Sequence, residues 1–435
     1  MLDRLQVFLK LVGLSLSLGL KQLTHNCAAR VHRLTYKPVD NPKNVVVIGG
    51  SMAGFFLAKE LAESLPTGYR VILIEKKSHY HFTWNFPRIS VVDGHDNKCF
   101  IPFPRQISTA PAGVYEFRQA TVVAIDPDKV TLDNGSTIDY EYLAIATGSK
   151  ARYPAQLDAN EKRECIDYFQ AQRHQIEAAK DIVIVGGGAA GVEIAGDIKT
   201  KFPDKNVTLV HSRDRLLNNF DPALHEIAKK ALEDMGVVVY LADRVVSDLD
   251  PELTKSIKQV MLRDGKVLQC DHLIKCTGQS AQSDLTKEFS PASVAPTGGI
   301  RIEKTLQMKD APSDKIFALG DVIDTPGPKM GRAASLQGFH VARNIVRSIN
   351  HKPLKPYKPS MIDTSIDLTL GLVSARCTPC VLSPFIEPSL TKLPGWRCDR
   401  VKTSCISVIW ADGTWPSTPK RQRSCMRLGL GRLWT

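Results

Sequence analysis

Two glycine-rich turns of the same kind stand 137 residues apart, each at the end of a run of β-branched residues. The first reads Val45-Val46-Val47-Ile48-Gly49-Gly50-Ser51-Met52-Ala53-Gly54, the second Ile182-Val183-Ile184-Val185-Gly186-Gly187-Gly188-Ala189-Ala190-Gly191. One glycine cluster after a strand is often only a tight turn. Two of them, each opening a helix, restrict the chain to an α/β architecture that holds two dinucleotides. The turn needs small residues at three places. The first (Gly49, Gly186) bends the strand into the helix, the second lets the backbone approach a pyrophosphate, and the last (Gly54, Gly191) lets helix and strand pack closely. The helix N-terminus then offers unpaired N–H groups and a partial positive charge to the phosphates. At the second position Gly188 of one copy corresponds to Ser51 of the other.

The residues after each turn separate the two sites. Beyond Gly54 a helix-like stretch leads to Gly68 and then to Arg70-Val71-Ile72-Leu73-Ile74, which ends at Glu75-Lys76. A carboxylate at that strand end accepts hydrogen bonds from a ribose diol. In the second copy the matching strand, Val207-Thr208-Leu209-Val210, ends at His211-Ser212-Arg213 with no acid. A ribose 2′-phosphate is repelled by a carboxylate and accepted by His211 and Arg213, so NADPH is expected to be tolerated beside NADH. The alternative is a solvated strand end that touches no ribose. Two apolar strands end in Thr-Gly, at Thr147-Gly148 and Thr277-Gly278, and a third, Ile316-Phe317-Ala318-Leu319-Gly320, ends at Asp321. Singly, each is an ordinary strand end. In this order they make the layout of a flavoprotein that passes electrons from a nicotinamide to FAD.

From about residue 44 to 372 the set resembles the two-dinucleotide-binding-domain flavoproteins of the pyridine nucleotide-disulfide oxidoreductase superfamily. It is most similar to their apoptosis-inducing-factor-like and ferroptosis-suppressor branch, neighbours of the type II NADH dehydrogenases. The resemblance implies two Rossmann-like FAD/NAD(P)-binding domains, the second inserted in the first, and electron flow from NAD(P)H through FAD to a quinone. It assigns Gly49, Gly50, Ser51, Ala53, Gly54, Glu75, Lys76, Val122 (backbone near the adenine), Thr147, Gly148 and Asp321 to FAD. Arg88 matches an Arg along the flavin; without the family it reads as a surface ion-pair partner. Gly186, Gly188, Gly191, His211, Arg213 and Gly278 fall to the nicotinamide coenzyme, with Glu193 directed at the nicotinamide–flavin contact as the catalytic residue. Met330 and Gln337 would lie near the flavin, or else pack as ordinary helix residues. No metal is implied. The paired Cys of disulfide reductases is missing, because no Cys lies between 28 and 98 and Cys99 is alone. The acceptor must therefore reach the flavin directly. A reading from another class is a redox-responsive signalling flavoprotein of the apoptosis-inducing-factor type, with little turnover.

The net charge of +12 suggests nucleic acid until it is located. Residues 1–43 carry seven Lys/Arg against two Asp/Glu, residues 376–435 ten against three, and the body between them forty of each. A neutral body excludes a specific DNA-binding face there. The N-terminal segment has an apolar stretch, Leu11 to Leu20, too short to span a bilayer, and no acid between Asp3 and Asp40. It reads as a mitochondrial presequence, as an interfacial membrane helix on the membrane periphery or its cytoplasmic face, or as a secretory signal. Position 2 is Leu, which excludes the myristoyl anchor of some relatives.

The organisation expected is a targeting or membrane segment and polar linker over 1–43 and the first part of the FAD domain over 44–150. The NAD(P)H domain comes next over 151–295, the rest of the FAD domain over 296–350, and a C-terminal region over 351–435. Asp133-Asn134-Gly135 and Arg263-Asp264-Gly265-Lys266 are hairpin signals. The last region matches the family only to about 372. Beyond it lie half of the ten cysteines and four of the five tryptophans, without sustained periodicity, as in a misspliced or mistranslated reading. Cys377, Cys380, Cys398 and Cys405 fit no compact zinc module. Relatives place dimer contacts, a membrane face and the acceptor pocket in this region, so a homodimer is an expectation of the resemblance alone.

Overall fold

The computed structural model describes residue 20, residues 23–246 and 259–359, and then 363, 366–372 and 375–376. The apolar stretch before residue 20 and the cysteines from 377 onward lie outside the described residues.

Strand β1 (Lys43–Ile48) runs into helix α1 (Met52–Ala62), and β2 (Tyr69–Glu75), β3 (Tyr115–Gln119) and β4 (Tyr142–Ile145) come after it. The runs are apolar throughout because both faces of the sheet are covered; Val45, Val46, Val47, Leu73 and Leu143 have no exposed surface. The chain then leaves this sheet and builds a second one. Strand β5 (Asp181–Val185) enters helix α2 (Ala189–Lys201), succeeded by β6 (Asn206–Val210), β7 (Val238–Tyr240) and β8 (His272–Lys275), all parallel in the order β7-β6-β5-β8. It returns with β9 (Ile316–Ala318), which completes a parallel first sheet in the order β9-β4-β1-β2-β3, and with helix α3 (Gly331–Ile349). The second unit is thus inserted in the first, as expected. Helices α1 and α3 cross closely: a Cβ on Gly338 would stand 2.7 Å from the Ala53 carbonyl oxygen. Both hairpins form where the turn residues placed them. Lys129–Leu132 pairs with Thr137–Asp139 in the three-stranded insert, and Gln259–Met261 pairs with Val267–Gln269.

The expectation of a polar linker before Lys43 is corrected. Residues 23–35 form a helix fastened to the first unit. His25 Nε2 lies 2.8 Å from Glu63 Oε2, His32 Nε2 lies 2.6 Å from the Leu65 carbonyl, and the Tyr36 hydroxyl donates to the Tyr69 carbonyl at 2.8 Å. These are polar bonds, which hydrophobic periodicity does not register. No helix among the described residues is long and apolar enough to cross a membrane.

Candidate active site

The two turns are built alike, to the level of single contacts. Gly49 has φ +99°, and a Cβ there would stand 2.4 Å from the Ala146 carbonyl oxygen; Gly186 has φ +117° and would meet the Cys276 carbonyl oxygen at 2.6 Å. Each first glycine therefore serves the carbonyl just past the neighbouring strand, β4 or β8, as well as the bend. Each last glycine is tighter still, with a Cβ 1.8 Å (Gly54) or 1.9 Å (Gly191) from the carbonyl oxygen of Gly49 or Gly186. The second positions differ from both. A Cβ on Gly188 would meet nothing within 4 Å, and Ser51 and Gly188 are exposed, extended residues just before α1 and α2. That is where a pyrophosphate needs open backbone. Ala53, on the first turn of α1, is buried under Gly320.

The strand ends are built alike as well. Glu75 Oε2 accepts from the Gly50 N–H at 2.6 Å, and Oε1 accepts from the Lys77 N–H at 3.0 Å. Lys76 sits half-buried between them. In the second unit the Gly187 N–H donates to His211 Nδ1 at 3.1 Å. An imidazole that accepts at Nδ1 is neutral and carries its proton on Nε2. Burial lowers the His211 pKa, which keeps it in that form, and Nε2 has no hydrogen-bond partner. Ser212 and Arg213 are exposed beyond it. The second strand end thus has a neutral imidazole, its remaining N–H buried, with an exposed cation beyond it, in place of a carboxylate.

Asp321, Met330 and Gln337 come together on the wall of a cavity of ≈240 Å³, which Lys329, Ile302 and Leu306 also line. Asp321 Oδ2 accepts from Ser149 Oγ and Gln279 Nε2, each at 3.1 Å, and burial raises its pKa. Gln337 Oε1 accepts from the Gly320 N–H at 2.8 Å, fixing the turn that carries Asp321. Thr147 Oγ1 donates to the Gln282 carbonyl at 2.6 Å. Gly148 and Gly278 take φ +72° and +91°, after β4 and β8. Val122 opens the three-stranded insert and is buried.

Arg88 and Glu193 lie in one contact set between the units. Arg88 Nε stands 2.9 Å from Asp197 Oδ2, without the alignment of a hydrogen bond, and Arg88 Nη2 donates to the Gly371 carbonyl at 3.4 Å. Glu193 Oε1 accepts from the Thr369 N–H at 3.1 Å and from its hydroxyl at 3.2 Å. One turn apart on α2, the two acids share a face. Burial pushes both carboxyls up, to about 7, with Arg88 opposing the rise at Asp197. Neither Asp197 nor Thr369 stood out in the sequence. The four-residue step from Glu193 was a usable signal for Asp197; nothing local marked Thr369.

All five cysteines among the described residues are unpaired, and burial pushes the Cys99 thiol up to about 12. The profile of the pyridine nucleotide-disulphide oxidoreductases matches residues 43–338. Fe-regulated protein 8 of Mycosarcoma maydis is 32% identical over 356 residues, covering 76% of this chain and 87% of that protein. Ferroptosis suppressor protein 1 of Homo sapiens is 30% identical over 326 residues, 73% of this chain and 84% of that one. Among solved structures, the water-forming NADH oxidase from Lactobacillus brevis bound to NADH superposes with a TM-score of 0.60 at 22% identity, over 75% of this chain and 73% of that one.

Proposed function

This chain belongs to the pyridine nucleotide-disulphide oxidoreductase family and is an FAD-dependent NAD(P)H oxidoreductase, and we propose that it delivers the electrons to a quinone-type acceptor at a membrane periphery, in the mitochondrion or on its cytoplasmic side. Bound FAD would supply the hydride-accepting and electron-donating chemistry, which is the cofactor's own. The chain positions the partners. In this reading the Gly49–Gly54 turn and the N-terminus of α1 receive the FAD pyrophosphate. The strand end at Glu75 and Lys76 takes the adenosine ribose, and Val122 borders the adenine. Thr147, Gly148 and Asp321 line the path toward the flavin. The turn from Gly186 to Gly191, with His211, Arg213 and Gly278, receives NADH or NADPH. Glu193 keeps the nicotinamide end of α2 in place against Thr369.

The observation that carries the acceptor is the cavity beside Asp321. It is polar where Asp321, Lys329 and Gln337 meet and apolar along Ile302, Leu306 and Met330, which suits the flat, carbonyl-bearing flavin ring with a quinone meeting it at the open side. None of the five described cysteines is in a disulfide. An anaerobic titration of the purified protein with NADH and with NADPH, and then addition of a soluble quinone, tests the reading. The flavin absorbance is expected to bleach at one equivalent of either coenzyme and to return with the quinone over many turnovers. Flavin that neither coenzyme reduces would overturn the reading. Reduction without return would move the protein to the redox-signalling class.

A further inference from the structure

The helix over 23–35 is bound to the protein on one face only. At 3.6 residues per turn, Leu23, Cys27, Val31 and Leu34 fall on one line along it. Leu23 is 64% exposed, Val31 59% and Leu34 86%, and Cys27 is exposed as well. The opposite line is His25, Ala29, His32 and Tyr36, the residues held by α1, Leu65 and Tyr69. Exposed leucines scattered singly need no explanation, but an aliphatic stripe about three turns long on a docked helix does.

We propose that this outward stripe is a surface anchor that lies in the headgroup region of an anionic bilayer. The proposal rests on the membrane-periphery reading above and says which face carries it. Three observations select the occupant. The charges beside the stripe and just after the helix are cations, Arg30 and Lys37, while Arg33 turns back to donate to the Ser108 carbonyl at 3.1 Å, and no acid lies between Asp3 and Asp40. Cations beside an apolar stripe match an anionic lipid surface, where each basic residue near the surface adds attraction. The sequence ahead of the helix, Leu11 to Leu20, is apolar as well. Finally, the helix is fastened rather than tethered. His25 lies 3.5 Å from Glu60 and 2.8 Å from Glu63, so the stripe has one fixed outward direction.

The attachment points have a consequence for orientation. Leu65 and Tyr69 stand at the entry of β2, and Glu63 sits just past the C-terminal end of α1. The glycine turns lie at the other ends of their strands. The bilayer would therefore touch the end of the first sheet away from the dinucleotides. It serves as an anchor and leaves the cofactor mouth free.

The test is flotation of the full-length, FAD-loaded protein with vesicles of phosphatidylcholine alone and of phosphatidylcholine with about one third phosphatidylserine. Binding is expected only to the anionic vesicles, weakened by high salt. The triple variant Leu23→Ser, Val31→Ser, Leu34→Ser is expected to lose about tenfold or more in binding. Its FAD content and its NADH oxidation with a soluble quinone should match the parent. A triple variant that floats as well as the parent would assign binding to another segment and overturn the proposal. So would a parent that fails to float, or a parent dimer that the three serines split into monomers, since a second copy would then own the stripe. Failure of the enzymatic reading is separate: it shows as floating protein that does not oxidise NAD(P)H.

Discussion

At residue scale, the glycines of the second turn look alike in the sequence and are unlike in the structure. A Cβ on Gly191 would sit 1.9 Å from the Gly186 carbonyl oxygen, a backbone atom that cannot give way, whereas a Cβ on Gly188 would enter open space. Gly191→Ala is therefore expected to yield unfolded or flavin-free protein, with a cost above that of an ordinary core substitution, about 3 kcal/mol or more. Gly188→Ala should keep fold and FAD content and raise the KM for NAD(P)H several-fold, because the added methyl stands where the pyrophosphate approaches. Flavin-to-protein ratio and steady-state kinetics on the two variants check this, and equal damage from both would refute it. The corresponding Ser51 in the first turn already shows that a Cβ is accommodated there. The pattern of strand, glycines and helix was legible because it is local. The carbonyls of Ala146 and Cys276 that make Gly49 and Gly186 obligatory were not, since each lies about ninety to a hundred residues away. His211 was legible as a missing acid. Its bond to the Gly187 N–H, which sets the tautomer, was not.

At the scale of elements, the helix over 23–35 is where sequence and structure part. Its apolar stripe faces outward and its docking runs through polar atoms, so residues 24–43, polar and ending in Pro38 and Pro42, read as a linker in the sequence. The key contact is His25 against Glu60 and Glu63, with Lys59 and Arg343 as the other charges on those carboxylates and the Thr109 hydroxyl donating to Glu63. The hydrogen bond to Glu63 raises the His25 pKa against the opposing effect of burial, while His25 and Lys59 hold Glu63 down to about 2 despite burial. For the histidine, the raised pKa means that docking gains from protonation. The gain is complete below the ordinary histidine value of 6.5 and disappears as pH climbs through the raised one. For Glu63 the gain is present above its ordinary value and fades only toward strongly acid pH. Proteolysis between residues 23 and 35 is accordingly expected to accelerate several-fold between pH 6 and pH 9, by the loss of about 1 kcal/mol of pairing. His25→Gln should cleave at one high rate at both pH values after correction for protease activity. A parent whose cleavage rate ignores pH would show that the pair does not hold the helix.

At the scale of the whole molecule, the two units are joined by buried charge. Arg173 grips Asp96 with both Nη atoms, at 2.6 and 3.0 Å, and the Ile89 carbonyl at 2.6 Å, beside an aromatic cluster of Phe86, Phe100 and Phe169. Across the same seam, Arg88 meets Asp197, and the segment carrying Thr369 and Gly371 closes over α2. No sequence pattern announces such a seam, because its members come from four stretches of chain that only the insertion of one unit in the other brings together. The seam also has an unbalanced charge. Glu193 and Asp197 share one cation, Arg88, and burial pushes both carboxyls up to about 7. A carboxyl with a raised pKa favours folding while it is protonated. Its contribution is complete below the ordinary value of 4.5 and is lost as pH rises through about 7. For Glu193 that loss amounts to about 3 kcal/mol at the limit. A glutamine at this position keeps an oxygen for the Thr369 N–H and hydroxyl but cannot ionise. Glu193→Gln is therefore expected to match the parent in thermal stability at pH 5 and to exceed it by several degrees at pH 8. At both pH values it should reduce its flavin more slowly with NADH if Glu193 orients the coenzyme. A difference in Tm that stays constant from pH 5 to pH 8 would mean that Glu193 does not change protonation in this range, and that the seam balances its charge at Asp197 alone.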